Sequence, residues 1–297
     1  MRYLISGGTG FIGRALCVDL LRAGQQAVVL TRCAAAAQQK LPLGAEAVED
    51  LAALDGADAV VNLAGESVVG GRWSAARKQA LLDSRISTTV RLLRWIEGLR
   101  QRPQVLVSAS AIGYYGPCGD RELDEGACAG KDFSARLCSA WEAEALKARA
   151  LGLRVCLLRI GIVLGCDGGA LSSLLPQFRL GLGGRMGDGR QWMSWVHRAD
   201  LVALIRHLAE DPAAAGVYNG TAPQPVTNAD FSRTLGRVLS RPAFLPTPGF
   251  VLRLLFGEMA DLLLTGQKVL PKRALAEGFE FHHPELEGAL REVLAPA

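Results

Sequence analysis

The stretch Ser6-Gly7-Gly8-Thr9-Gly10-Phe11-Ile12-Gly13 decides how this chain folds. It follows an apolar run at 3–5 that is typical of a short strand, and it opens a segment with helical spacing at 11–23. Glycines in such a link let the backbone approach a pyrophosphate, and the N-terminus of the helix offers free N–H groups to that anion. The stretch therefore predicts a dinucleotide-binding loop, with candidate cofactor contacts at Gly7, Thr9, Gly10, Phe11, Ile12 and Gly13.

Strand-like and helix-like patterns alternate over the first 160 residues. Short apolar runs recur, and segments with helical spacing separate them; the runs are 27–31, 59–63, 105–108 and 155–158, and the longest helical segments are 74–99 and 133–150. Strands without a polar face, separated by helices, indicate a parallel sheet that is covered on both sides. We therefore expect an α/β fold with a doubly wound parallel sheet.

The character of the sequence changes after Gly165. Five glycines fall within 181–189, which predicts a long loop, and most of the remainder to about position 294 has helical spacing. A short strand at 217–219 is expected to return to the main sheet. The predicted organisation is a cofactor-binding domain at 1–165 and a smaller, mainly helical C-terminal region at 166–297.

The end of the second strand indicates which cofactor binds. An NAD site usually carries an acidic residue there for the ribose 2′-hydroxyl, but no Asp or Glu occurs between Asp19 and Glu46. The strand instead ends in Thr31-Arg32, and a guanidinium suits a 2′-phosphate because its planar donors pair with phosphate oxygens. Thr31 and Arg32 therefore predict NADP(H). The alternative for Arg32 is an ordinary solvated loop residue.

A turn of small residues follows the strand at 59–63. Leu63-Ala64-Gly65 lets the backbone come close to a cofactor, and Arg85, in the next helical segment, is placed to reach its pyrophosphate or a ribose. The alternative for Arg85 is a surface residue of that helix. The candidate cofactor contacts therefore also include Leu63, Ala64, Gly65 and Arg85.

Several motifs together resemble the extended short-chain dehydrogenases/reductases. They are the Gly-rich loop, Asn62-Leu63-Ala64-Gly65, the segments 108–116 and 159–165, Trp195-Val196-His197-Arg198-Ala199-Asp200 and Gly216-Val217-Tyr218-Asn219-Gly220. More narrowly, the chain resembles from end to end an atypical subgroup of NAD-dependent epimerase/dehydratase-like proteins, the "epimerase family". The residues that carry this resemblance are Trp141-Glu142, 178–184, Arg241-Pro242, 266–271 and Gly278-Phe279. The resemblance implies a Rossmann-type sheet, NADP(H) bound across the C-terminal strand ends and a distinctive C-terminal domain, which makes 166–297 the substrate region.

One departure from that family bears on activity. The resemblance implies a Tyr-x-x-x-Lys pair at the start of the helical segment near Phe133, where the lysine and the cofactor lower the tyrosine pKa for proton exchange during hydride transfer. None of the four tyrosines has a lysine four residues later. Phe133 and Leu137 stand where the pair is expected, and neither side chain can move a proton.

Three residues are candidates for the missing proton donor and for substrate contacts. Ser110 lies at the end of the strand 105–108, where a hydroxyl would polarise a substrate, and Tyr114 and Tyr115 are the nearest phenols. The structural alternatives are a serine that caps its own turn and tyrosines that pack over the nicotinamide or the substrate. His197 and Asp200 are tempting as an acid/base pair, but we interpret their segment as structural.

Composition argues against several other kinds of protein. The 33 basic residues lie among 29 acidic ones rather than in a stripe, so no nucleic-acid partner is expected. The seven cysteines have no zinc-ligand spacing, and His282-His283 has no Cys or acid cluster beside it in the sequence, so no metal is expected. Every apolar stretch of about 18 residues contains a charged residue, so no membrane span is expected. We expect the cysteines to be reduced thiols and the protein to be cytoplasmic.

Two functions of different classes remain. The first is an NADP(H)-binding oxidoreductase or epimerase-like enzyme with atypical catalysis, acting on a small or nucleotide-linked polar substrate. The alternative, which the missing dyad favours, is a non-catalytic NADP(H)-responsive regulatory or interaction protein. A homodimer is also expected, through apolar side chains of the two long helical segments: Leu81, Leu82, Ile86, Leu92, Leu93, Trp95, Leu137 and Trp141.

Overall fold

A computed structural model describes residues 1–295. Within them the strands are β1 (Arg2–Ser6), β2 (Gln26–Leu30), β3 (Glu46–Val48), β4 (Ala59–Asn62), β5 (Val105–Ala111), β6 (Glu122–Leu123), β7 (Arg154–Ile160), β8 (Ile162–Leu164), β9 (Trp192–Met193), β10 (Trp195–His197), β11 (Gly216–Gly220), β12 (Val226–Thr227) and β13 (Lys268–Val269). The α-helices are α1 (Phe11–Arg22), α2 (Ala34–Gln38), α3 (Ala75–Gly98), α4 (Phe133–Leu146), α5 (Gly169–Arg179), α6 (Arg198–Glu210), α7 (Asn228–Val238), α8 (Gly249–Phe256), α9 (Asp261–Leu264), α10 (Lys272–Ala276) and α11 (Leu286–Leu294). Short 3-10 helices lie at Leu51–Ala53, Ile112–Tyr115, Lys147–Leu151 and Gly257–Ala260.

Seven parallel strands form the central sheet, in the order β11-β7-β5-β4-β1-β2-β3. The chain runs outward from β1 through β2 to β3 and returns with β4 to the other side of β1, so the strand order reverses between β1 and β4. In such sheets the binding crevice lies outside the carboxyl ends of the strands at the reversal. Ser6 is in register with Asn62 there, so the loops after β1 and β4 start side by side. The expected doubly wound α/β fold is confirmed.

Helices cover both faces of the sheet, which is why its strands carry unbroken apolar runs. Side chains of β1 alternate between two clusters: Tyr3 and Ile5 pack with Leu16 of α1, whereas Leu4 lies in the cluster that holds Leu92 of α3. All five are at most 1% exposed. Full burial of side chains this large stabilises the fold by about 1.5–3 kcal/mol each.

The C-terminal part extends the sheet and also builds a core of its own. β11 pairs in parallel with β7 at the edge of the sheet. A separate apolar cluster joins α5, α7 and α11 around the fully buried Trp195. The helical spacing predicted after Pro248 is interrupted, because β13 pairs with β6. A Cβ on Gly266 would lie 2.1 Å from the carbonyl oxygen of Trp192, so the chain passes too close to that backbone for any larger residue.

The long helices α3 and α4 use most of their apolar side chains within one protomer. The buried ones are Leu81, Leu92, Leu93, Leu137 and Trp141. The half-buried ones are Leu82, Ile86 and Trp95. The homodimer stays a prediction, but these side chains no longer support it, since they are spent on the sheet and on the contact between the two helices. No helix within residues 1–295 is long and apolar enough to cross a membrane.

Candidate functional site

The Gly-rich loop packs closely on itself and on the turn after β4. Gly7 has a φ of +77°, and a Cβ on it would lie 2.7 Å from the carbonyl carbon of Leu63. A Cβ on Gly13 would lie 2.4 Å from the carbonyl oxygen of Gly7. Gly10 differs from these two glycines. A Cβ on Gly10 would have only one neighbour within 4 Å, the carbonyl oxygen of Gly7 at 3.2 Å. Gly7 and Gly13 are therefore needed because the loop packs too closely for a side chain at either position. At Gly10 the backbone is accessible to a ligand at the start of α1.

One buried hydrogen bond joins the ends of β1 and β4, and a second joins β4 to α3. The Ser6 hydroxyl donates to Asn62 Oδ1 at 2.6 Å, and Asn62 Nδ2 donates to Thr89 Oγ1 of α3 at 3.0 Å. The loop at 7–13 and the turn at 63–65 are therefore brought to the same place at the strand reversal. The other candidate contacts of the loop are half-buried there: Thr9, Phe11 and Ile12.

Arg85 lies inside the protein rather than on the surface of α3. Its Nη1 donates to the carbonyl oxygen of Leu81 at 2.9 Å and its Nη2 to that of Glu66 at 3.0 Å, while its Cζ lies 5.1 Å from the Trp141 ring. A Cβ on Gly65 would come within 3.0 Å of the Arg85 guanidinium. Burial lowers the pKa of Arg85. The guanidinium thus shapes the turn after β4, and its direct contact with a cofactor stays a prediction.

The end of β2 carries an exposed cation, and the adjacent end of β3 is followed by a carboxylate. The N–H of Thr31 donates to the carbonyl oxygen of Val48 at 2.9 Å, and Arg32 is exposed, with no ion pair to any residue of 1–295. Glu49, just after β3, accepts a hydrogen bond from the N–H of Ala34 at 2.7 Å. The sequence of the second strand alone does not reveal Glu49, because strand pairing brings it there from further along the chain.

A buried ion pair lies under the carboxyl ends of β5 and β7. Arg159 donates to both carboxylate oxygens of Glu142, at 2.8 and 2.9 Å, and the two side chains are 4% and 7% exposed. The Ser110 hydroxyl donates to Glu142 Oε1 at 2.7 Å. Burial alone would lower the pKa of Arg159, but the hydrogen bonds and charge of Glu142 outweigh it and raise that pKa. The Ser110 hydroxyl is therefore already hydrogen-bonded to Glu142. The residues next to Ser110 in the sequence do not indicate this partner.

The two adjacent tyrosines have different surroundings. The Tyr115 hydroxyl donates to Asn219 Oδ1 at 2.7 Å and accepts from Arg159 Nη1 at 3.0 Å, and Tyr115 is 1% exposed. Burial raises the pKa of Tyr115, although Arg159 opposes the rise. Tyr114 is half-buried, and the Arg159 guanidinium lies 3.3 Å from its ring centroid. The Tyr114 hydroxyl has no hydrogen-bond partner within the described part of the chain. Of Ser110, Tyr114 and Tyr115, it is therefore the one whose hydroxyl is not already bonded to another residue there.

Phe133 and Leu137 lie at the start of α4, and other residues gather around the first of them. Trp73 meets the Phe133 ring edge-on, with 5.0 Å between centroids, and Lys78 Nζ lies 5.1 Å from the same centroid. Lys78 also pairs with Glu258 from the C-terminal part. Leu137 is buried. The sequence does not indicate Trp73 or Lys78, because neither belongs to a motif. The packing of α3 on α4 brings Lys78 to Phe133, and Trp73 comes from the loop just before α3.

His197 is the N-cap residue of α6. Its Nδ1 accepts from the N–H of Ala199 at 3.2 Å, and both carboxylate oxygens of Asp200 accept backbone N–H groups, from His282 and His283. The segment therefore anchors the C-terminal part of the chain. This arrangement supports the structural interpretation of the segment.

One carboxylate that is distant from His282-His283 in the sequence reaches His283 in the fold. α11 folds back so that Glu292 Oε2 lies 2.8 Å from His283 Nε2 and 4.0 Å from His197 Nε2. These three side chains could hold a metal ion, since their ligand atoms lie within 4.8 Å of one another. In neutral His197, however, Nδ1 accepts a hydrogen bond, so the proton is on Nε2 and faces Glu292. The group is thus arranged for hydrogen bonding.

Acid should weaken the fold through His197. Burial, and then the neighbouring His283, lower the pKa of His197 from 6.5 to about 4. Between these values the unfolded chain takes up a proton that the folded chain does not, so stability falls as pH falls through that range. Because of His197, we expect the free energy of unfolding to be about 2 kcal/mol lower at pH 5 than at pH 7. Urea denaturation at the two pH values measures the difference.

The matched variants are His197→Asn, which keeps a cap acceptor for Ala199 but does not titrate, and His282→Asn at an exposed position. Only His197→Asn should reduce the loss between pH 7 and pH 5. An equal loss in the wild type and in His197→Asn would show that another group is responsible.

Two family models match the chain. That of the NAD dependent epimerase/dehydratase family matches residues 3–219, and that of a domain of unknown function, DUF1731, matches residues 247–293. The first runs from β1 into β11 and so spans all seven strands of the central sheet. The second begins just before α8 and ends within α11.

Relatives from three kingdoms match over nearly the whole length. Epimerase family protein SDR39U1 homolog, chloroplastic, of Arabidopsis thaliana is 45% identical, over 99% of this chain and 87% of its own. Epimerase family protein SDR39U1 of Homo sapiens is 40% identical, over 99% and 100% of the two chains. Epimerase family protein YfhF of Bacillus subtilis is 37% identical, over 99% and 98%.

Solved structures agree with these matches. The crystal structure of human epimerase family protein SDR39U1 (isoform2) with NADPH has a TM-score of 0.90 at 40% identity and covers 99% of both chains. A UDP-galactose 4-epimerase, at 19% identity and a TM-score of 0.76, shares the fold. The chain belongs to the NAD dependent epimerase/dehydratase family, with a C-terminal DUF1731 domain.

Proposed function

We propose that the protein binds NADP(H) in the crevice between the loop at 7–13 and the turn at 63–65. The observation that carries this proposal is the exposed guanidinium of Arg32 directly after β2, which has no ion pair within 1–295 and suits a 2′-phosphate. The open backbone at Gly10 fits a pyrophosphate at the start of α1. The human relative, which was solved with NADPH, supports the same cofactor.

Arg32→Asp tests the cofactor assignment. The variant places a carboxylate against the 2′-phosphate, so NADPH affinity should fall about 100-fold, whereas NADH affinity should change little. Fluorescence titration with each cofactor measures both constants. Arg94→Asp, the same charge reversal at an exposed position of α3, is the matched control and should leave both affinities unchanged. Equal losses for NADPH and NADH in Arg32→Asp would remove Arg32 from the site.

The leading catalytic function is an oxidoreductase or epimerase-like reaction on a small or nucleotide-linked polar substrate. Bound NADPH supplies a hydride, so in a reduction the protein must give a proton to the carbonyl oxygen of the substrate. We assign that proton to Tyr114, because its hydroxyl is uncommitted while those of Ser110 and Tyr115 bond internal partners. The O–H bond breaks, the proton completes the product hydroxyl, and water reprotonates the phenolate. Arg159, 3.3 Å from the ring centroid, places positive charge beside the phenolate.

Phenylalanine at each tyrosine separates the catalytic role from the structural one. Tyr114→Phe should lower NADPH consumption with a panel of carbonyl substrates by about 10²–10⁴-fold without changing NADPH affinity or the urea midpoint. Tyr115→Phe should instead lower the unfolding free energy by about 1–3 kcal/mol, since Asn219 and Arg159 lose a buried partner. Turnover that survives Tyr114→Phe would place the proton donor elsewhere.

A second candidate function is that of a non-catalytic, NADP(H)-responsive regulatory protein. Phe133 and Leu137 favour it, because the start of α4 offers no proton donor where the family has its pair. The two functions give different results with wild-type protein. Turnover with any carbonyl substrate supports the enzyme, whereas no turnover together with an NADPH-dependent change in affinity for a protein partner supports the regulator.

A further inference from the structure

A cationic cavity lies beside α1, outside the proposed cofactor crevice. Its volume is about 310 Å³, and α1, the segment after α2 and the loop before α5 form its walls. The charged lining groups are Arg14, Lys40, Arg198 and Asp167. None of them is among the proposed cofactor contacts, so the cavity needs a separate explanation.

Positive charge exceeds negative charge in this cavity. Arg14 Nη2 lies 3.3 Å from one carboxylate oxygen of Asp167, and Arg198 pairs with the other oxygen. Lys40 is exposed and has no ion pair within the residues that the structure describes. The cavity thus holds three cations and one carboxylate, and only the two arginines pair with that carboxylate. Because each guanidinium carries five N–H donors, a single carboxylate leaves most of the donors free for a second anion.

The remaining wall of the cavity is aliphatic. It consists of Ala15, Val18, Leu41 and Pro42. A volume of about 310 Å³ exceeds what a phosphate group alone would fill and is in the range of small-molecule sites. A ligand that fits both parts therefore joins an anionic head to a small organic body.

We propose that this cavity binds a small phosphate monoester. The phosphate lies among Arg14, Lys40 and Arg198, where planar guanidinium donors and an ammonium group suit its oxygens. The organic part packs on the aliphatic wall. Asp167 faces the same cations and repels the ligand, so it limits the affinity of the site.

The cavity also touches the start of α1. Arg198 Cζ lies 4.7 Å from the centroid of the Phe11 ring, and a Cβ on Gly165 would lie 2.5 Å from that ring. Phe11 is thus wedged between Arg198 and the loop that leads to Asp167. A ligand that changes the contact between Arg198 and Phe11 acts on the cofactor loop, and by linkage NADPH and the phosphate ester then alter each other's affinity equally.

Calorimetric titration of glycerol 3-phosphate into protein saturated with NADPH tests the proposal, because the cofactor then blocks the Gly-rich loop. Arg14→Gln and Lys40→Gln should each weaken binding about fivefold or more, since each removes a charged partner. Asp167→Asn should tighten binding about threefold, because it removes the competing charge. Arg94→Gln, on α3, should change nothing. Opposite effects of Arg14→Gln and Asp167→Asn are the expected signature.

Three results would overturn the proposal: no binding of glycerol 3-phosphate at millimolar concentration, an affinity that falls without limit as NADPH is raised, as direct competition requires, or an equal loss in Arg14→Gln and Arg94→Gln. Inorganic phosphate should bind more weakly than the ester, and equal affinity would contradict the role of the aliphatic wall. The proposal does not rest on the cofactor assignment. The same titration in Gly10→Val, without NADPH, should still show binding even if the cofactor assignment fails.

Discussion

Arg159→Met is expected to lower the free energy of unfolding by about 3–5 kcal/mol. Arg159 is paired through two hydrogen bonds with Glu142 deep in the protein, so its removal leaves a buried carboxylate without a counter-charge. The Tyr115 hydroxyl loses a donor at the same time. Urea denaturation at pH 7 measures the change. Because β5, β7 and α4 meet at this pair, the proposed catalytic residues should also lose their fixed positions.

Two further variants make this result specific. Arg206→Met breaks the half-exposed pair with Asp19 and should cost at most about 1 kcal/mol. The double variant Arg159→Met, Glu142→Leu should regain much of the loss, because no unpaired charge remains buried. If Arg159→Met costs no more than Arg206→Met, the ion pair is not the constraint that holds these elements together.

Gly10→Val is expected to reduce NADPH affinity at least 100-fold while the fold persists. A branched side chain at this position covers the free N–H groups at the start of α1 and prevents the backbone from approaching a pyrophosphate. The Cβ itself meets only the carbonyl oxygen of Gly7, at 3.2 Å, so the unfolding free energy should fall by about 1 kcal/mol or less. Fluorescence titration and urea denaturation measure the two quantities.

Gly13→Val is the contrasting variant. Its Cβ would lie 2.4 Å from the oxygen of Gly7 and 2.5 Å from Gly8 Cα, so the loop itself must shift and the fold should be weakened strongly. Normal NADPH binding by Gly10→Val would show that the cofactor does not lie on this loop.

Much of the fold was predictable because its determinants are local. Helical spacing and strand length are set by neighbouring residues, so α1, α3 and most of the central sheet lie close to their expected positions. The cap of α7 is local in the same way, since Thr227 accepts a hydrogen bond from the N–H of Asp230, three positions further along. Two of the shortest strands, β3 and β13, were not predictable. β3 and β13 are three and two residues long, and only pairing with β2 and β6 makes them strands.

The sequence by itself determined the α/β fold, the position of the Gly-rich loop between β1 and α1 and the absence of a Tyr-x-x-x-Lys pair, since each depends on residues within a few positions of one another. Only the tertiary structure decided which hydroxyl near the site is free. Ser110 meets Glu142 across 32 positions, and Tyr115 meets Asn219 across 104, whereas Tyr114 meets neither. Hydrogen bonds depend on distances of a few ångströms in space, and the packing of α4, β7 and β11 sets those distances.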